Sequence, residues 1–191
     1  CIQTNSMSHE DYNECRGLAL ISTVFASEQY DAVRRILMEF DIKFSDFLLA
    51  LHDRIHNDET NFEIRKIYLA YLDETLAELF PSVESLYEHY GSPENYKKML
   101  AGDAGDNLLR RFRAQMHLKA GTEFTQLTID LIRELFDTNL SPDDLRALHA
   151  LEKWLLQTRQ LAAVFNPAGP STEVDILNLE FDVAGWYESD D

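Results

Sequence analysis

From Ser8 to Phe165 the apolar residues of the chain return at intervals of three, four and seven, the spacing that gathers them on one face of a helix. The starts of these segments are marked. Ser8 precedes HEDYNECRGLALISTVF with Asp11 three residues on, Ser27 precedes EQYDAVRRILMEF, and Ser45 precedes DFLLALHDRIH. Each serine can accept from the free N–H groups of a first turn. Ser92 and Ser141 are followed by Pro93 and Pro142, whose missing N–H costs nothing at a first helical position. The pattern predicts an all-α chain, a single bundle-like domain of about seven to nine helices. The longest are expected over Asn61–Phe80, Glu123–Asp137 and Pro142–Phe165, the last with an inward stripe of Leu145, Leu148, Leu151, Leu155 and Ala162.

After Asn166 the pattern changes, because two prolines and a glycine in NPAGPST cannot continue a helix. Beyond it Leu177, Leu179, Phe181 and Val183 alternate with Asn178, Glu180 and Asp182, the period of a strand. The expected organisation is a helical domain over 1–166 and a short extended, strand-like acidic tail over 167–191. A lone strand leaves its backbone unpaired, so this tail is expected to pair with Cys1–Asn5, to lie along the helices, or to dock on an absent partner. Trp186 and Tyr187 near its end are surfaces that a solitary tail would not leave in water, and they mark the docking contact.

Charge narrows the function classes. A formal net charge of −17 repels phosphate backbones and anionic lipid alike, so neither nucleic acid nor a membrane surface is expected as partner. No apolar run reaches the ~18–20 residues that cross a bilayer. The two cysteines, Cys1 and Cys15, form neither a disulfide framework nor a metal knuckle, which fits a reducing, cytoplasmic setting. A mature bacterial lipoprotein begins with Cys, and so does a domain cut from a longer protein. The second is favoured, with residues 1–6 read as the remnant of an upstream domain.

Candidate chemistry is sparse. In MLAGDAGDNLLRRF the glycines have the look of a phosphate cradle, yet Asp103 and Asp106 would meet an anion with negative charge, and the spacing is wrong for a calcium loop. The plain expectation is that Gly102 ends one helix in a left-handed conformation while Asp103 or Asp106 caps the next. His52 and His56 share a helix face at four residues' spacing, but two ligands do not make a site, and His89, His117 and His149 stand at no predictive spacing. Cys15 falls in an apolar helix and is expected to be packed. Glu74 with Glu78, and Asp143 with Asp144, read as the surface of an acidic helical protein. Arg110, Arg111 and Arg113 can bind a carboxylate or phosphate, or pair internally with some of the 34 acids.

Two stretches carry a resemblance. TNSMSHEDYNECRGLALISTVF (Thr4–Phe25) and YEHYGSPENYKKMLAGDAGDNLLRRFRA (Tyr87–Ala114), with the closing FDVAGWY, resemble the helical C-terminal region of cobalamin-binding radical SAM proteins. In that family a cobalamin-binding α/β domain and a radical SAM barrel come first. The resemblance implies a parent enzyme using an iron–sulfur cluster, S-adenosylmethionine and cobalamin, with the upstream barrel of the same protein as this region's partner. The departures matter as much. The family's cluster needs a CxxxCxxC run and its cobalamin loop a DxHxxG run, and neither occurs here, so this chain alone holds none of these cofactors and is expected not to be an enzyme. What the resemblance implies is a non-catalytic accessory domain that covers the barrel and helps shape the substrate pocket. Asp106, Asn107, Arg110 and Arg111 are then the polar groups expected nearest the interface. The competing expectation is a free-standing helical protein-interaction domain.

Overall fold

The computed structural model describes residues 7–57, 62–80, 82–101, 107–136, 140–158 and 178–188. Among these the chain is all-α. It runs through α1 (His9–Phe25), a 3-10 turn (Glu28–Tyr30), α2 (Asp31–Glu39), α3 (Phe44–Asn57), α4 (Phe62–Ala77) and α5 (Val83–Gly91). It continues through α6 (Pro93–Ala101), α7 (Leu108–Leu135), α8 (Pro142–Thr158) and α9 (Val183–Glu188). No helix of the described residues is long and apolar enough to cross a membrane.

Three expected starts are built as read. Ser8 and Asp11 close a reciprocal capping box, with the Asp11 N–H 3.0 Å from Ser8 Oγ and the Ser8 N–H 2.7 Å from the Asp11 carboxylate. Ser92 Oγ accepts from the Asn95 N–H, and Ser141 Oγ from the Asp144 N–H, each at 3.2 Å. Two starts differ. The Ser27 hydroxyl donates back to the Val24 carbonyl at 2.8 Å and caps nothing, so a 3-10 turn intervenes before α2. Ser45 already lies inside α3, whose first turn is closed by the Lys43 carbonyl. At the end of α2, Asp41 takes a left-handed φ of 54° and the Ile42 N–H reaches back to the Leu37 carbonyl at 2.8 Å, a Schellman closure made without glycine.

α7 departs most from expectation. It does not begin near Glu123 but already at Leu108, a 28-residue rod of about 42 Å that runs straight through Gly121. A mid-helix glycine costs ~1 kcal/mol, and the side chains α7 buries, from Leu108 and Phe112 to Ile129 and Ile132, outweigh it.

α1, α3 and α4 pack around this rod. Phe25 is the hub, its ring 5.3 Å from Phe47 on α3 and 5.3 Å from Phe124 on α7. The register is read from paired contacts. Near one end of α4 the Ile64 N–H meets the Glu123 carboxylate at 3.3 Å, and near the other Glu74 pairs with Arg111. α4 is thus antiparallel to α7. Arg16 lies over the Tyr71 ring, and Tyr71 in turn touches Phe112, so α1 runs parallel to α7. The start of α1, the end of α4 and the start of α7 therefore share one end of the bundle. α8 packs on the far half of α7, joined to it by Arg133 and Glu152 at 2.9 Å.

The tail is not a strand where it is described. Asn178–Asp182 is irregular and Val183 opens α9, with the Asp182 carboxylate accepting the Gly185 N–H at 2.9 Å. A turn of helix satisfies its backbone locally, which a strand without a neighbour cannot do. Trp186 docks on the same domain, its indole N–H 2.7 Å from Glu39. Cys1–Asn5, Leu177, Ala162 and the 166/167 boundary lie outside the described residues.

Candidate functional site

The connectors leaving α4 and entering α7 carry a hairpin of two short helices. Ser82 and Ser85 cap α5 reciprocally, and the Asn95 side-chain amide holds the His89 carbonyl at 2.9 Å, pinning the end of α5 to the start of α6. Phe80 packs under α5 against His89 and Tyr90. Neither helix buries a single residue. They pack chiefly on each other and leave Val83, Leu86, Tyr87, Tyr96, Met99 and Leu100 facing water, Tyr87 being 73% and Leu100 67% exposed. Isolated exposed apolar residues are ordinary; six on a pair of nine-residue helices make a candidate contact surface, with the Tyr and Met that interfaces favour.

The residues expected at this site are spread by the helix. Asn107 caps α7, its side chain 3.0 Å from the Arg110 N–H. That task was expected of Asp103 or Asp106, which lie with Gly102 outside the described residues. Arg110 points to solvent, whereas Arg111 turns inward and pairs with Glu74 of α4, so the two guanidinium groups do not converge on one ligand. Beside them, between α1 and α4, Asn13 Oδ1, Arg16 Nε and Thr75 Oγ1 are buried without a hydrogen bond among the described residues. Tyr71 Oη is likewise buried without a hydrogen bond among the described residues, and burial pushes its phenol up against the opposing pull of Arg16. Such atoms are satisfied by water or by a partner's groups.

A second cluster lies midway along the bundle. His52 Nε2 and His56 Nδ1 both approach Tyr68 Oη, at 2.9 and 3.3 Å. Burial and then the neighbouring His56 hold His52 below its ordinary range, while burial and Glu14 push Tyr68 up to about 12. Tyr68 therefore stays a neutral hydroxyl that donates to one ring and accepts from the other. The histidine pair was legible from its spacing; the tyrosine, on another helix, was not. His89 packs on Phe80, His117 stacks on Tyr30 at 6.1 Å, and His149 approaches Glu152, so none of them joins the pair. Among the described residues no three His, Cys, Asp or Glu side chains are grouped to hold a metal ion. Cys15, expected to be packed, is exposed: it falls on the polar side of α1, opposite Leu20, Ile21 and Val24.

What the described residues offer for binding is, at one end, the exposed apolar surface of α5 and α6. No family model, no curated protein and no solved structure matches the chain.

Proposed function

We propose that this chain is a non-catalytic accessory domain that docks through its α5–α6 hairpin onto a preceding catalytic domain, in the manner of the C-terminal region of a cobalamin-binding radical SAM enzyme. The observation that carries the reading is the hairpin itself, with no buried residue and an apolar row in water, at the same end of the bundle where α1 starts. Any segment preceding Met7 enters the domain there, so a preceding barrel is the surface best placed to cover the row. Seated on a barrel mouth, the hairpin would exclude water from a radical intermediate and supply one wall of the substrate pocket. On this reading Asn107 and Arg110, at the start of α7 and hence at that end of the bundle, would border the contact. The iron–sulfur cluster, S-adenosylmethionine and cobalamin would be held by the preceding domains, and the expected setting is the cytoplasm.

The test has two arms. The coding sequence upstream of Cys1 is expected to carry a CxxxCxxC run; a signal peptide or start codon immediately before it overturns the reading and leaves a free-standing interaction domain. In the longer protein, amide exchange over 83–101 is expected to slow relative to this domain alone, and Tyr87→Asp with Leu100→Asp to restore fast exchange. Unchanged exchange in the longer protein would mean that the hairpin docks elsewhere.

A further inference from the structure

At the far end of the bundle, away from the hairpin, α9 does not close fully on α2 and α8. It leaves a cleft of about 330 Å³, at the small end of the range that holds small molecules. Its walls are Ile36, Ala147, Leu151, Phe181, Val183 and Trp186. Among the described residues the polar lining consists of two carboxylates, Glu39 and Asp182. We propose that this cleft binds a small apolar molecule bearing an amine, with the hydrocarbon against Leu151 and Trp186 and the ammonium between Glu39 and Asp182.

Three observations support that class of ligand. The wall is preformed: Trp186 is held by its N–H to Glu39 at 2.7 Å and by the Arg35 guanidinium 5.0 Å from its ring, so little ordering remains to oppose binding. The acids keep capacity. Glu39 uses one oxygen for Trp186, with Arg35 Nε at 3.6 Å, and Asp182 uses one for the Gly185 N–H, while among the described residues their second oxygens accept no hydrogen bond. The nearby cations among the described residues are spent, since Arg35 lies on Trp186 and Arg146, 6.0 Å from the Phe181 ring, pairs with Asp143. Among the described residues an anion would meet two carboxylates and no uncommitted base, whereas an ammonium gains from both.

The probes are 2-phenylethylamine, 2-phenylethanol and 3-phenylpropionate, which share an aromatic body and differ in charge. The chain has two tryptophans, so the indole N–H region of a proton–nitrogen spectrum holds two signals, and a Trp154→Phe background identifies that of Trp186. The amine is expected to move the Trp186 signal saturably and to bind about fivefold more tightly than the alcohol, the ratio that ~1 kcal/mol for one charge near 4 Å in a water-like surrounding gives. The carboxylate is expected to bind weakest. Glu39→Gln with Asp182→Asn keeps both acceptors yet removes both charges, and should bring amine and alcohol level. Ala147→Phe should abolish binding of all three while leaving the melting temperature close to the parent's. Equal binding of the three probes by the parent chain, or no shift up to ~10 mM, the range open to ligands of this size, would overturn the proposal.

Discussion

α6 and α8 begin alike and end in opposite surroundings. Each opens with a serine cap and a proline in its first turn, at Ser92–Pro93 and Ser141–Pro142, and each places apolar side chains at helical intervals. α8 buries Leu148, Leu151 and Leu155 against the rest of the bundle; α6 buries nothing and keeps Tyr96, Met99 and Leu100 in water. Local rules of capping and period decide that a helix forms, and they are blind to whether a neighbour meets its apolar face. In this chain that neighbour is α7 for one helix and, on the reading above, another domain for the other.

The same substitution in both helices gives the widest contrast. Leu155→Ala should cost about 2–5 kcal/mol through a cavity in the closed core, and Leu100→Ala should stay within about 0.5 kcal/mol, as surface changes do; urea unfolding of the two variants measures both. Similar costs would show that the hairpin belongs to the core after all.

Glycines sharpen the comparison at smaller amplitude. A Cβ at Gly17 would stand 2.8 Å from the Tyr68 ring carbons, and Tyr68 is held by His52 and His56, so Gly17→Ala should destabilise by about 1–3 kcal/mol despite its better helix propensity. A Cβ at Gly121 meets nothing within 4 Å, and Gly121→Ala should stabilise by up to about 1 kcal/mol. Thermal melts of the pair should move in opposite directions.

The smallest expected effect is a pH dependence confined to the closed region. The folded His52 pKa lies below its ordinary 6.5, so as pH falls through 6.5 the unfolded chain takes up the proton first and stability declines until the folded imidazole also titrates. Above 6.5 the contribution is intact. Unfolding midpoints between pH 7.5 and 5 (about the range in which histidine titrates) should show this decline, and His52→Gln should reduce it; an unchanged slope would remove His52 as its source.

Particular residues show how far the chain could be read in advance. The caps at Ser8, Ser92 and Ser141 were legible because each bond spans three residues of one turn. Ser27 misled because the same hydroxyl found the Val24 carbonyl behind it, a competition that depends on how the chain bends after α1. His52 and His56 were visible as a pair, while the hydroxyl joining them arrives from α4. Arg111 suited a ligand or an internal acid, with the internal acid favoured, and the antiparallel register of α4 and α7 decides that the acid is Glu74. The strand-like alternation of the tail gave way at Val183 because α2 and α8 offer Trp186 a docking surface that favours a helical turn.

By itself the sequence determined that the chain is helical, strongly acidic, and without the cysteine run of an iron–sulfur cluster, since periodicity, net charge and ligand spacing are properties of residues close along the chain. Only the tertiary structure decided which apolar faces are closed and which stay open, that α7 is one rod through Gly121, and that a cleft remains beneath Trp186. Burial is a relation between segments distant in sequence, and its free energy belongs to the pair of surfaces rather than to either one.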